Sequence, residues 1–256
     1  MIYNYLETLK ELLILMVIIL LVHSLYALWI IPVSDGYVNF AYLNSTTIPR
    51  NFFVIVKDLE QEICLIISIW TAYLIIKNYL NIYLKRFIFE INLFENISSK
   101  KEGMNTLTEI NNLDKNLRDN NLTKIVKNIV SAYLASGMDK KNLTNVLDNE
   151  LKTLETKFES ENSLIKYLIW AVPSIGFIGT VRGIGMAMSE ADEAINGDIT
   201  SMTNSLGIAF NSTFVALLLS ILLMFLLFQL QKVQDETIFK IHDYVQDNFF
   251  LTLEEN

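Results

Sequence analysis

The chain has 256 residues, 52% of them apolar and 19% charged, and its 9 Gly and 3 Pro are too few for an all-β sandwich or barrel with its many tight turns. A net charge of −8 argues against nucleic acid as a partner, because phosphate binding needs a basic face. The apolar excess is gathered into four stretches of about 20 residues or more, which excludes an ordinary soluble domain. The single cysteine, Cys64, permits neither an internal disulfide nor a cysteine metal cluster.

The first expected membrane span is 12–31, interrupted only by His23 and Ser24. At about 1.5 Å per residue it crosses a hydrocarbon layer roughly 30 Å thick. A cleaved signal peptide fits less well, since Glu7, Lys10 and Glu11 stand where a basic cluster belongs. His23 on this apolar helix is expected to be a structural histidine and not a proton relay. Residues 63–84 form the second span, in which Lys77 can stretch its ammonium toward the interface marked by Lys85 and Arg86. The third span is 164–188 and the fourth 204–232. The expected fold is therefore all-α and polytopic. Its parts in order are an N-terminal segment with the first helix (1–32), an outer loop (33–62), the second helix (63–84), a cytoplasmic helical domain (85–163), the third helix (164–188), an acidic outer loop (189–203), the fourth helix (204–232) and a cytoplasmic tail (233–256).

Orientation follows from Lys and Arg, which are retained on the cytoplasmic side of membrane helices. Residues 85–163 hold 12 of them, the loop before the second span two, and the loop 189–203 none. Four spans then put both termini in the cytoplasm. The loop 189–203 carries Glu190, Asp192, Glu193 and Asp198, which either solvate it or concentrate cations at an outer mouth.

The segment 85–163 reads as helix. Thr106 with Glu109 fits a capping box, and Leu107, Ile110, Leu113, Leu117, Ile125, Ile129 and Tyr133 recur at helical spacing up to Gly137, a plausible stop. A second run, Leu143, Leu147, Leu151, Leu154 and Phe158, meets no Pro or Gly before the third span, so one helix is expected to continue from the cytoplasm into the membrane. Its balanced charges, 12 acidic and 12 basic over 85–163, suit a solvated bundle face. Residues 233–256 are acidic with one Lys and read as an exposed helix.

Four of the nine glycines, Gly176, Gly179, Gly183 and Gly185, fall within ten residues of a segment that must stay helical because lipid offers open backbone no partner. Pro173, Gly176, Thr180, Gly183 and Ala187 form one narrow stripe, with Gly179 and Gly183 a GxxxG pair beside it. Ser205, Ala209, Ser212, Ala216 and Ser220 repeat the device on the fourth span. Such stripes serve close packing or line a narrow path. The four spans as bounded contain no Asp or Glu, whereas an ion carrier normally needs an embedded carboxylate or a His relay. Lys166 belongs at the cytoplasmic boundary. Arg182, in the outer half of its helix and turned about 160° from Thr180, either snorkels to headgroups or bonds a neighbouring helix or subunit. No nucleophile with a base, metal-ligand spacing or phosphate loop suggests an enzyme, a metal or a cofactor.

The run 171–185, Ala-Val-Pro-Ser-Ile-Gly-Phe-Ile-Gly-Thr-Val-Arg-Gly-Ile-Gly, resembles the signature of the MotA/TolQ/ExbB proton-channel superfamily. The run 206–217, Leu-Gly-Ile-Ala-Phe-Asn-Ser-Thr-Phe-Val-Ala-Leu, looks like that family's following helix, and the likeness covers about 143–232. What the resemblance implies is a homopentamer in a bacterial inner membrane. The third and fourth helices would form an inner ring around two transmembrane helices of a dimeric, single-span partner of the MotB, TolR or ExbD kind. The partner would supply a transmembrane Asp, and ion flow would drive rotation or mechanical work. On this resemblance Thr180 would be a pore hydroxyl, with Ser212 or Thr213 its counterpart on the next helix. Pro173, Gly176, Gly179, Gly183, Ala209 and Ala216 would pack the pore helices, and Pro173 would kink one of them. Arg182 stands where relatives often carry an aromatic residue and would sit at the outer mouth or between subunits. The ion would be a proton, with sodium the alternative. A non-conducting sensor or scaffold with a cytoplasmic docking platform is the rival reading.

Overall fold

The computed structural model describes residues 2–44, 48–91, 93, 100–136, 140–197 and 199–250. Helices account for all the regular structure among them: α1 (Ile2–Leu25), α2 (Ile31–Leu43), α3 (Phe52–Val56), α4 (Leu59–Tyr83), α5 (Lys100–Asn112), α6 (Lys115–Arg118), α7 (Asn121–Ser136), α8 (Lys140–Ser189), α9 (Ala191–Ile195) and α10 (Thr200–Val245). A π turn at Tyr26–Ile30 joins α1 to α2, a 3₁₀ turn at Arg86–Glu90 follows α4, and a π turn at Gln246–Phe250 extends α10. Among the described residues four helical stretches are long and apolar enough to cross a membrane: Leu9–Ala41, Leu59–Glu90, Lys140–Ser189 and Thr200–Phe250.

The first helix outruns its expected end, because the residues read as the start of an outer loop are helical through Leu43. Pro32 explains the join. Its nitrogen has no hydrogen to donate and its ring crowds the carbonyl one turn back, so the ladder widens ahead of it, and Ile31 N–H bonds Tyr26 O. α3 starts where the Asn51 side chain accepts a hydrogen bond from Val54 N–H at 2.9 Å. α4 begins at Leu59, earlier than expected, with Glu60 and Glu62 in its first turn, where the helix dipole favours negative charge. The helix that contains the second span therefore carries two acids ahead of its apolar run.

The chain divides into two compact units. The first comprises Met1–Ile75 and Leu164–Leu227. Part of its core is Val22, Tyr26, Ile30, Val56 and Val215, with Phe53, Leu65 and Leu219 packed around them. The second comprises Ile76–Ser163 and Phe228–Asn256. Its core gathers Ile110, Ile125, Ile129, Tyr133, Leu143, Leu147, Leu154 and Phe158, the residues the helical spacing picked out, with Leu107, Leu113, Leu117 and Leu151 partly buried against them.

Two expectations for the second unit change. α5 starts at Lys100, so Thr106 lies inside it and its hydroxyl donates to Glu102 O instead of capping a helix start. The segment after 233 is helical but not exposed: Ile241, Tyr244, Val245, Phe249 and Phe250 belong to the core. Phe249 meets Tyr133 edge-on at 5.9 Å, and Tyr244 takes a hydrogen bond from Leu93 N–H while donating one to Ile91 O. Burial consequently pushes the Tyr244 phenol up from its ordinary value, against the pull of the bond from Leu93. Gly137, read as a helix stop, lies outside the described residues. Asn162 and Gln234, both buried, join α8 to α10 through an amide–amide pair at 2.7 Å.

Candidate functional site

α8 and α10 approach closely because three glycines leave room for the facing backbone. A methyl group at Gly176 would lie 2.4 Å from Ala216 Cβ, one at Gly179 2.5 Å from Ser212 Cβ, and one at Gly183 2.6 Å from Ala209 N. None of these separations is tolerated by real side chains, so the glycine and alanine stripes are mates within one chain. Gly185 has nothing within 4 Å and takes no part. The structure brings together Gly176, Gly179 and Gly183 with Ala209, Ser212 and Ala216.

Pro173 lies inside α8, which runs unbroken from Lys140 to Ser189. Proline cannot return a hydrogen bond to Ile169 O, and that carbonyl instead receives the Ser220 hydroxyl of α10 at 3.5 Å. At the same crossing the Thr180 and Thr213 hydroxyls are hydrogen-bonded to each other. Thr180 Oγ1 also lies 3.0 Å from Ala209 O, and Thr213 Oγ1 3.2 Å from Gly176 O. Each hydroxyl has one proton to give and two lone pairs. When Thr180 donates to Ala209 O and Thr213 donates to Thr180, Thr213 still has lone pairs to offer. Both threonines are partly exposed in the single chain.

Ser212 belongs to a different face. Its hydroxyl donates to Ile208 O at 2.9 Å and accepts from Gln61 Nε2 of α4 at 3.4 Å, and the residue is 1% exposed. Of the two candidates for the counterpart of Thr180, the geometry selects Thr213 as its bonded neighbour and directs Ser212 toward α4.

α4 brings what the sequence reading missed. The Arg182 guanidinium donates from Nη2 to Glu60 Oε2 at 2.7 Å, so this arginine bonds a neighbouring helix of its own chain. The Glu60 side chain is only 8% exposed, and its Cγ lies 3.1 Å from the position a Gly179 methyl would take, with Ser212 Oγ 2.6 Å from the same point. Gly179 is thus the notch that admits both. Two residues on, Glu62 Oε1 accepts from His23 Nδ1 at 2.8 Å and ties α4 to α1. His23 accordingly has a structural partner. Asp58, just before α4, has its carboxyl raised from the ordinary 3.8 by burial, with the charges of Lys57 and Arg182 pulling the other way. The signal for this cluster was present as Asp58, Glu60 and Glu62 around a helix start, but the hydropathy boundary at 63 left it in a loop.

At the α8–α10 connection Glu190 Oε2 accepts the Ser205 hydroxyl at 2.8 Å, and Asp192 is exposed. Asp198 and the Glu193 side chain, also assigned to an acidic mouth, lie outside the described residues. Lys166 is exposed. No group of three or more His, Cys, Asp or Glu able to hold a metal ion occurs among the described residues.

The family model of the MotA/TolQ/ExbB proton channel family matches residues 114–242, half of the chain, from α6 through α7 and α8 and most of α10. No curated protein and no solved structure matches.

Proposed function

Because the chain belongs to the MotA/TolQ/ExbB proton channel family and is a multi-pass membrane protein, we propose that it is the ion-conducting subunit of a motor in a bacterial inner membrane. The observation that carries this reading is the Thr180–Thr213 hydroxyl pair, bridging α8 and α10 where glycines bring their backbones together. Several copies, five by the family resemblance, would set these pairs around a shared axis. A dimeric single-span partner would supply the transmembrane Asp. Both termini and residues 85–163 would lie in the cytoplasm, a placement that the basic residues of 85–163 support.

The mechanism then follows from solvation. An ionised partner carboxylate favours hydroxyls and water, whereas the protonated form tolerates the apolar lining between subunits. Each proton that neutralises the acid would shift its preference to the next subunit and advance the ring. The membrane potential supplies about 2.3 kcal/mol per charge per 100 mV.

Proton flux into vesicles containing the chain with its partner is expected to fall at least about tenfold, some 1.4 kcal/mol in barrier, in a Thr180→Val/Thr213→Val variant. Unchanged flux would remove the hydroxyls from the path. Activity that tracks sodium at fixed pH would assign sodium instead. A second reading, a non-conducting sensor or scaffold, is favoured by the backbone carbonyl near each hydroxyl, which suits packing. That reading requires no acid-bearing single-span partner, so a chain that works without one would decide for it.

A further inference from the structure

The face that α4 turns toward α8 and α10 is polar along much of its length. Gln61, Cys64, Ser68 and Thr71 recur at spacings of three, four and three, which places them on one side of the helix over about 15 Å. All four are buried: Gln61, Cys64 and Thr71 are 0% exposed and Ser68 4%. Contacts fix their direction. Gln61 Nε2 donates to Ser212 Oγ on α10 and to Ile55 O, and Cys64 Sγ donates to Val172 O on α8. Since Glu60 lies by Gly179 and Cys64 by Val172, α4 runs opposite to α8, and Ser68 falls one turn beyond Cys64, toward the level of Ile169.

Two atoms of this stripe are fully enclosed and make no hydrogen bond, Gln61 Oε1 and Ser68 Oγ. Protein interiors seldom leave such groups unmet, and a helix in lipid has still less reason to carry them. Both belong to the side of α4 from which Gln61 bonds Ser212 of α10 and Cys64 bonds Val172 of α8, and one needs a donor while the other offers a proton and lone pairs. Water meets both needs, being donor and acceptor at once.

We propose that the α4 stripe is a water-binding seam inside each subunit, which carries protons from the layer of Gln61, Ser212 and the threonine pair inward past Ser68 toward Thr71. This rests on the reading of the chain as a proton conductor and gives the inner half of the route. Transfer needs no further reagent. A hydronium ion gives a proton to the next water, one O–H bond breaking as another forms, and Ser68 relays in the same way by accepting on its oxygen and giving up its own hydrogen. Gln61 cannot relay and acts as a positioning residue, holding the Ser212 hydroxyl through its amide hydrogens and the first water through Oε1. The Glu60–Arg182 pair closes the outer end with neutralised charge, so that water and not a fixed ion begins the file.

The test compares proton flux in vesicles for Ser68→Ala, Gln61→Leu and Thr180→Val complexes, with assembly followed by co-purification of the partner. At least fivefold less flux in assembled Ser68→Ala is expected. Wild-type flux in assembled Ser68→Ala and Gln61→Leu, with flux lost in Thr180→Val, would overturn the seam and leave the threonine reading standing. Wild-type flux in all three would overturn both. Should Ser68→Ala not assemble, the native thiol decides. Silver ion added to the intact wild-type complex should block later alkylation of Cys64, the chain's one cysteine, after unfolding. A Cys64 that stays fully alkylatable marks a dry seam and defeats the proposal.

Discussion

Where Gly183 meets Ala209, one added carbon would sit 2.6 Å from a backbone nitrogen; where Phe249 fills the second unit between Tyr133 and Phe250, one removed ring would open a void. The first unit joins α8 to α10 by close approach of backbones, with hydroxyls and an ion pair satisfied in the narrow space that remains. The second is filled by large side chains, as water-soluble bundles are. The reason lies in the solvent. With the second unit in water and the first in lipid, as proposed, water would drive apolar side chains together in the second, whereas lipid is as apolar as leucine and would give no such drive, so helices there would gain from contact distance and from polar groups that have nowhere else to bond.

The contrast is broken most directly by deletion in the second unit. Phe249→Ala should cost about 3–5 kcal/mol, read as a large fall in the unfolding temperature; a shift no greater than that of a surface substitution would mean the α10 extension does not hold the bundle. Next, adding a methyl should hurt only in the first unit. Gly183→Ala is expected to cost about 1–3 kcal/mol by overpacking. Gly185→Ala, two residues along the same helix and with open space around it, should be neutral or gain up to about 1 kcal/mol from helix propensity. Equal losses at both glycines would show that helix propensity, not approach to Ala209, governs the site.

The ion pair sharpens the same point. Removing one partner leaves a charge in poor solvent, so Glu60→Gln and Arg182→Gln should each destabilise by about 1–3 kcal/mol, less than a fully buried pair because the Arg182 side chain is 43% exposed. The double variant should recover part of the loss; additive losses would mean the residues do not act as a pair.

The smallest effect belongs to the half-buried pair in the second unit. Arg86 donates to Glu236 Oε2 at 2.8 Å and holds that carboxyl below its ordinary 4.5, with slight burial opposing. A depressed carboxylate stabilises the fold above its unfolded value and loses that contribution as pH falls through the folded one. The difference in unfolding temperature between wild type and Glu236→Gln should therefore be constant above pH 4.5, close below it, and shrink in salt. A gap that widens in acid would reverse the sign and remove Arg86 as the cause.

Periodicity read the bundle core well, because Leu143 to Phe158 and Ile125 to Tyr133 each show one apolar stripe to one partner surface. The small residues it picked out on α8 and α10 face each other, Gly176, Gly179 and Gly183 against Ala209, Ser212 and Ala216. Hydropathy failed at the edge of α4, where Glu60 and Glu62 looked like loop but are stabilised by His23, Arg182 and the helix start. It failed again after 233, where Phe249 and Phe250 return to a core built largely on residues of α5, α7 and the first half of α8, far earlier in the chain.

Local chemistry alone thus determined that the chain is helical, has four helices long and apolar enough to cross a membrane, and carries two stripes of small and hydroxyl residues, since helix period and transfer energy depend only on near neighbours in the chain. Only tertiary structure decided that Thr213 and not Ser212 meets Thr180, that Arg182 is neutralised by Glu60, and that Gln61 and Ser68 face the interior. Adjacent residues on a helix point 100° apart, so which of two neighbours touches a partner depends on the rotation of the whole helix, and that is set by the glycines opposite.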